Sequence, residues 1–122
     1  MELFTVALRV SKHDRPEEFE AFDIAVDARE MFSRISRAWL ARRDVQASRR
    51  MQFRTPEGRV MDRDFAPVHL VVEGRTALDN VLLADAGEME VLGSHSIDGF
   101  GLAVDQVQRK LVPTIMLALV IP

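Results

Sequence analysis

The 122-residue sequence contains no cysteine, which excludes disulfides, thiolate nucleophiles and every cysteine-based metal site. The redox compartment stays open as a result. Long hydrophobic runs are also missing: the longest, residues 115–121, falls far short of the roughly twenty residues that a membrane-spanning helix needs. The start Met1-Glu2-Leu3 lacks the basic-then-apolar form of a secretory signal, so a soluble, cytoplasmic protein with no membrane segment is expected. Histidine is scarce, and His13, His69 and His95 form no pair at ligand spacing; no metal and no cofactor are expected, and the three imidazoles read as structural or solvent-facing. There is no Gly-x-Ser-x-Gly elbow and no glycine-rich loop of the Walker or Rossmann type, which removes those enzyme classes. The six methionines are spread along the chain, as core filling would have them.

What is present points to one packed domain over residues 1–122. Hydrophobic residues make up 48% and charged residues 29%, a balance that buries roughly two-thirds of the unfolded surface at this size and excludes wholesale disorder. The net charge of -3 conceals an asymmetry: between Arg34 and Arg54 seven arginines face one acid, Asp44. Such a stretch marks either an anionic partner or a solvated helix face. Few aromatics are interleaved for base stacking, which weighs against nucleic acid.

The hydrophobic pattern is mainly that of strands. Residues 3–10 form an apolar, β-branched run ending in a polar loop at Pro16, and residues 19–26 alternate imperfectly, so the two predict a hairpin. From Ser36 the spacing becomes helical around Ala38, Trp39 and Leu40, with Ser36 or Ser33 as cap. Residues 51–54 and 60–65 flank Thr55-Pro56-Glu57-Gly58, where proline presets φ and glycine accepts positive φ, and this predicts a second hairpin. Residues 68–72 and 77–83 predict a third, around Glu73-Gly74-Arg75. A short buried strand follows at residues 91–93, then a helix of one or two turns over residues 94–100, then a pairing of residues 102–104 with 110–112. Residues 115–121 are apolar on both faces, and in so small a chain the cover is another subunit. The sum is a mainly β, closed barrel-like domain with one or two short helices, homodimeric.

One segment carries a candidate for chemistry, Ala25-Val26-Asp27-Ala28-Arg29-Glu30. A carboxylate directly after an apolar strand must be paired, solvated or functional. The order of features around it resembles the retropepsin-like aspartic proteases, the single-domain relatives of the retroviral enzymes. An N-terminal hairpin leads to the apolar-apolar-Asp motif Ala25-Val26-Asp27, and residues 32–40 resemble the segment entering a short helix. The hairpin at Thr55, Pro56, Glu57 and Gly58 resembles the flap over the substrate cleft. Val91-Leu92-Gly93 resembles the signature before the C-terminal helix, and residues 101–105 and 109–113 resemble the family's end. The resemblance covers nearly the whole chain. It implies a homodimer with a seam at Met116, Leu117, Leu119 and Ile121, and a catalytic Asp27 from each subunit.

The motif itself departs from the family's Asp-Thr-Gly. Ala28 replaces the threonine whose hydroxyl joins the two loops, Arg29 replaces the glycine that leaves room for substrate, and Glu30 follows. The family's mechanism needs two aspartates sharing one proton, so that one serves as base and the other as acid. An arginine pointing at them favours ionisation of both. An Asp27–Arg29 pair, within or across subunits, would make the former active site structural. The leading reading is a catalytically impaired homologue that binds an extended peptide or protein partner. The alternatives are an aspartic endopeptidase using Asp27 across the dimer, and a binder of anionic partners through the arginine-rich stretch.

Overall fold

The computed structural model describes residues 3–115; the expected seam residues Met116, Leu117, Leu119 and Ile121 lie outside the described residues. The chain order is β1 (Thr5–Lys12), β2 (Phe19–Val26), β3 (Arg34–Ser36), α1 (Arg37–Arg42), β4 (Arg49–Arg54), β5 (Val60–Val72), β6 (Arg75–Ala84), β7 (Val91–Leu92), α2 (Ser94–Gly99), β8 (Leu102–Asp105) and β9 (Lys110–Pro113). Hydrogen bonding orders seven strands as β1-β2-β7-β3-β6-β5-β4, and a further β1–β5 pairing closes six of them into a ring. The fold is therefore mainly β and barrel-like, with two short helices, and β4 hangs outside the ring on β5. No helix among the described residues is long and apolar enough to cross a membrane.

The ring closes because alternate residues of its strands are apolar and point inward. Leu8, Ile24, Ile35, Leu70, Leu83 and Leu92 are all buried in this core, each worth about 1.5–3 kcal/mol relative to exposure. The β5–β6 hairpin turns at Glu73 and Gly74, both with positive φ (52° and 75°), the left-handed backbone that a two-residue turn demands. On β6, Ala77, Asp79, Val81 and Leu83 share the buried face, which takes one carboxyl group inside.

Two local readings are revised and a third is narrowed. The second and third expected hairpins share one continuous strand, β5, which pairs with β4 over Val60 to Phe65 and with β6 over Phe65 to Val72. Residues 34–36 are a strand, pairing parallel to β6 before the helix begins at Arg37. The chain needs that strand to close the ring between β7 and β6, and a three-residue run is too short to show a period. Ser36 is the cap of α1, its Oγ accepting from the Trp39 N–H at 3.4 Å, while Ser33 is fully buried elsewhere.

The parallel pairing of β2 with β7 sets Val26 beside Leu92 and so brings the loop after β2 against Gly93. A Cβ on Gly93 would stand 2.7 Å from the Phe32 carbonyl carbon and 2.9 Å from the Glu30 oxygen, so only glycine fits this crossing. Hydrogen bonds from Ser94 N to Glu30 O (2.8 Å) and from His95 N to Met31 O (2.9 Å) fix the loop to the first turn of α2.

Candidate functional site

Asp27 is the first residue past β2, and its backbone N–H donates to the Leu92 carbonyl at 3.1 Å. The Glu30 N–H donates back to the Asp27 carbonyl at 3.1 Å, closing a tight turn over Ala28 and Arg29. Within that turn Asp27 Oδ1 accepts from the Arg29 backbone N–H at 3.1 Å and from Arg29 Nε at 2.9 Å, while Oδ2 accepts from Arg29 Nη2 at 3.0 Å. The carboxylate is thus gripped at both oxygens by the planar guanidinium fork. Its side chain is only 11% exposed, whereas that of Arg29 is 64% exposed. Arg29 therefore lies over the carboxylate on the solvent side.

The side-chain hydrogen bond from Arg29 holds the Asp27 carboxyl below the usual carboxylate range; burial opposes the shift, and the charges of Arg29 and Arg34 add to it. Arg29 is correspondingly raised, first by its hydrogen bond to Asp27. Beside the pair lies a small cavity of about 160 Å³ lined by Leu3, Phe4, Val26, Asp27, Ala28, Arg29 and Gln106. Of the motif residues, Ala28 brings no hydroxyl to it. Glu30 sits beyond the turn, 3.5 Å from Arg34 Nη1.

Thr55, Pro56, Glu57 and Gly58 form the tip of the β4–β5 hairpin. Thr55 N donates to the Arg59 carbonyl (2.8 Å), Gly58 N donates to the Thr55 carbonyl (2.9 Å), and Arg59 N donates to Thr55 Oγ1 (3.1 Å). Gly58 takes φ of 89°. Glu57 is held below the ordinary carboxylate range by its own backbone N–H and by the Thr55 hydroxyl. Below the tip lies a slot of about 370 Å³ lined by Glu30, Met31, Phe32, Arg34, Phe53, Thr55, Met61, Arg63 and Leu82. Phe32 from the Asp27 loop meets Phe53 of the hairpin edge-on at 6.0 Å and Phe65 at 5.1 Å, and Phe53 stacks on Phe65 at 5.8 Å. These aromatics, absent from the sequence-level site, join the loop to the hairpin.

A second missed cluster backs the loop. The Gly93 N–H donates to Ser33 Oγ (2.9 Å), Ser33 Oγ lies 2.6 Å from Ser96 Oγ, and Ser96 Oγ donates to Asp79 Oδ2 (2.6 Å). Because Ser96 spends its proton on Asp79, the Ser33 hydroxyl donates to Ser96. Asp79 Oδ1 accepts from the Asn80 N–H and lies 2.8 Å from His95 Nδ1. Asp79 is available to sequence reasoning as the charged residue among the alternating apolar positions 77, 81 and 83.

The seven arginines of residues 34–54 do not form one patch. Arg34, Arg37, Arg43 and Arg50 each pair with a carboxylate, and Arg42 lies over the Trp39 ring. Arg49 and Arg54 meet Met51 Sδ and the Gly58 carbonyl instead. His13, His69 and His95 are not brought together, and no group of three metal-ligating side chains occurs among the described residues.

No family model matches the sequence, and no curated protein matches it. The fold does match solved structures. The simian foamy virus (mac) protease superposes with a TM-score of 0.58 at 15% identity, over 78% of this chain and 92% of that one. The EIAV protease, solved with an inhibitor, gives a TM-score of 0.57 at 18% identity, over 91% and 93%. The chain has the retropepsin-like fold that the order of its motifs led one to expect.

Proposed function

We propose that this chain is a dimeric, retropepsin-fold peptide-binding module whose proteolytic chemistry is blocked at Asp27. The observation that carries the reading is the two-pronged Arg29 grip on both Asp27 oxygens. An aspartic dyad works only if one of two adjacent carboxyl groups keeps a proton, ready to protonate the substrate while its partner draws a proton from water. A cation bonded to each carboxylate favours ionisation of both, so the acid is lost. The same guanidinium covers the oxygens from which water would be activated. Peptide binding needs none of this, since an extended segment can pair its main chain beneath the flap and seat side chains in the slot.

Dimerisation is part of the proposal. Ile115 stands 98% exposed at the end of the described chain, and the apolar residues Met116, Leu117, Leu119 and Ile121 that follow are the proposed seam. Sedimentation of the full chain beside Leu117→Asp tests it: a dimer converted to monomer is expected, and an unchanged dimer would place the seam elsewhere.

The decisive test of chemistry incubates the full chain with a peptide library from pH 3 to 7, alongside Asp27→Asn. No cleavage by either is expected, with peptides retained. Cleavage by the natural chain that disappears in Asp27→Asn would overturn the block and establish an endopeptidase. The double change Ala28→Thr with Arg29→Gly restores the hydroxyl and removes the cation, and gain of cleavage there would place the defect in these two residues.

A further inference from the structure

We infer that the slot beneath the flap selects an extended peptide whose apolar side chain is flanked by carboxylates. The inference rests on the peptide-binding reading and adds the chemistry of the ligand. It comes from how the hairpin sorts its charges. Directly opposed residues of an antiparallel pair share a face, so the register of Arg49 with Phe65, Met51 with Arg63 and Phe53 with Met61 defines one face of the ribbon. Arg50 with Asp64, Gln52 with Asp62 and Arg54 with Val60 define the other. Both aspartates of this ribbon thus lie on the outer face. The inner face, which supplies Phe53, Met61 and Arg63 to the slot, carries apolar residues and arginine with no acid. Arg59 extends that face, its Nη2 lying 3.6 Å from Met61 Sδ.

The slot's charged lining is Arg34, Arg63 and Glu30, with Glu88 meeting Arg63 from outside that lining, on walls made of Met31, Phe32, Phe53, Met61 and Leu82. Neither arginine is saturated. Arg34 spends Nε on the Met89 carbonyl (3.1 Å) and Nη1 on Glu30 at 3.5 Å. Arg63 spends Nη2 on the Leu83 carbonyl and on Glu88 at 2.9 Å. The remaining N–H groups of both forks have no protein acceptor among the described residues, and a planar fork beside an apolar floor suits a carboxylate. An apolar side chain fills the aromatic pocket while an acidic residue two positions along, on the same face of the extended peptide, meets Arg63 or Arg34, and a lysine at the same place meets like charge.

The test is fluorescence anisotropy on the full chain with three eight-residue peptides sharing a Leu-Phe centre, flanked by glutamate, glutamine or lysine. The acid-flanked peptide is expected to bind about tenfold tighter than the lysine-flanked one, with the glutamine peptide between and the gap narrowing in high salt. The double variant Arg63→Gln with Glu88→Gln, which leaves no unpaired Glu88, is expected to shrink that gap several-fold with binding of the glutamine peptide kept. Phe53→Ala is expected to weaken all three alike. Equal binding of the three peptides by the natural chain would overturn the charge selectivity and leave the peptide-binding reading standing. Failure of all three to bind would overturn both.

Discussion

Two aspartates serve the two ends of the loop between β2 and β3, Asp27 at its start and Asp79 through Ser96 and Ser33 at its finish, and are satisfied in opposite ways. Asp79 is buried and its oxygens meet partners from two elements, Asn80 on β6 itself and Ser96 and His95 of α2, with Ser33 relaying the chain to Gly93 of the β7–α2 junction. Asp27 is held by one residue two positions away, whose side chain is largely in solvent. The first arrangement ties parts of the fold together, so its loss disturbs the fold. The second ties nothing distant; it lowers the pKa of a carboxyl group without adding a cross-link. Burial alone sets Asp79 apart, whereas the charge of Arg29 is what sets the acidity of Asp27.

That contrast can be broken first at Asp79. Asp79→Ala strands the buried Ser96 hydroxyl and removes the acceptor of the half-buried Asn80 N–H, and a loss of about 3 kcal/mol is expected in urea unfolding, since a buried orphan donor costs roughly 1–3 kcal/mol. A loss close to zero would show that the network holds nothing. The second largest effect is expected at the contact that seats the Asp27 loop. Gly93→Ala drives a Cβ into the Phe32 backbone, and overpacking of this kind costs about 1–3 kcal/mol, read by the same unfolding curves. The smallest change in stability is expected from Arg29→Gln, which cuts a solvent-facing pair. Its effect appears in titration: the Asp27 carboxyl resonance, followed by NMR, should move up into the ordinary carboxylate range. The sign of the pH dependence follows. Asp27 has a folded pKa below its unfolded value, so its contribution to stability is complete above the ordinary carboxylate pKa of about 3.9 and fades as pH falls through the depressed value. In Arg29→Gln that acid-side dependence should flatten.

The strands were legible because alternation and turn chemistry agree. The β1–β2 hairpin, the Thr55 to Gly58 tip and the β8–β9 pairing stand where residue type puts them. The three-residue β3 was not, because nothing in Arg34-Ile35-Ser36 distinguishes a ring-closing strand from the approach to a helix. Asp27 could be singled out by its place after an apolar strand, and Arg29 by its place in the motif. That the two meet within one chain depends on the turn over Ala28, which is geometry rather than composition. The Phe32, Phe53 and Phe65 cluster was invisible because only the closed ring brings Phe32, of the Asp27 loop, against Phe53 and Phe65 of the hairpin. The arginine-rich stretch shows the reverse case: contiguous in sequence, its charges are divided among a strand, a helix and a ribbon edge, with Arg37 and Arg50 meeting again at Asp64.

Strand β5 leads two lives along its length. From Val68 to Val71 it is paired on both edges, with β1 and with β6, whereas from Val60 to Asp64 its only strand partner is β4. The handover falls at Ala66 and Pro67, and the proline has no N–H to offer the edge that β4 has left and β1 has not yet reached. The hairpin is therefore a cantilever: a two-stranded beam, marginal by itself, clamped at its root by the barrel and propped from beneath by Phe32. Its amides are expected to be the first of the sheet to exchange with solvent, and a peptide wedged beneath would take over as the prop.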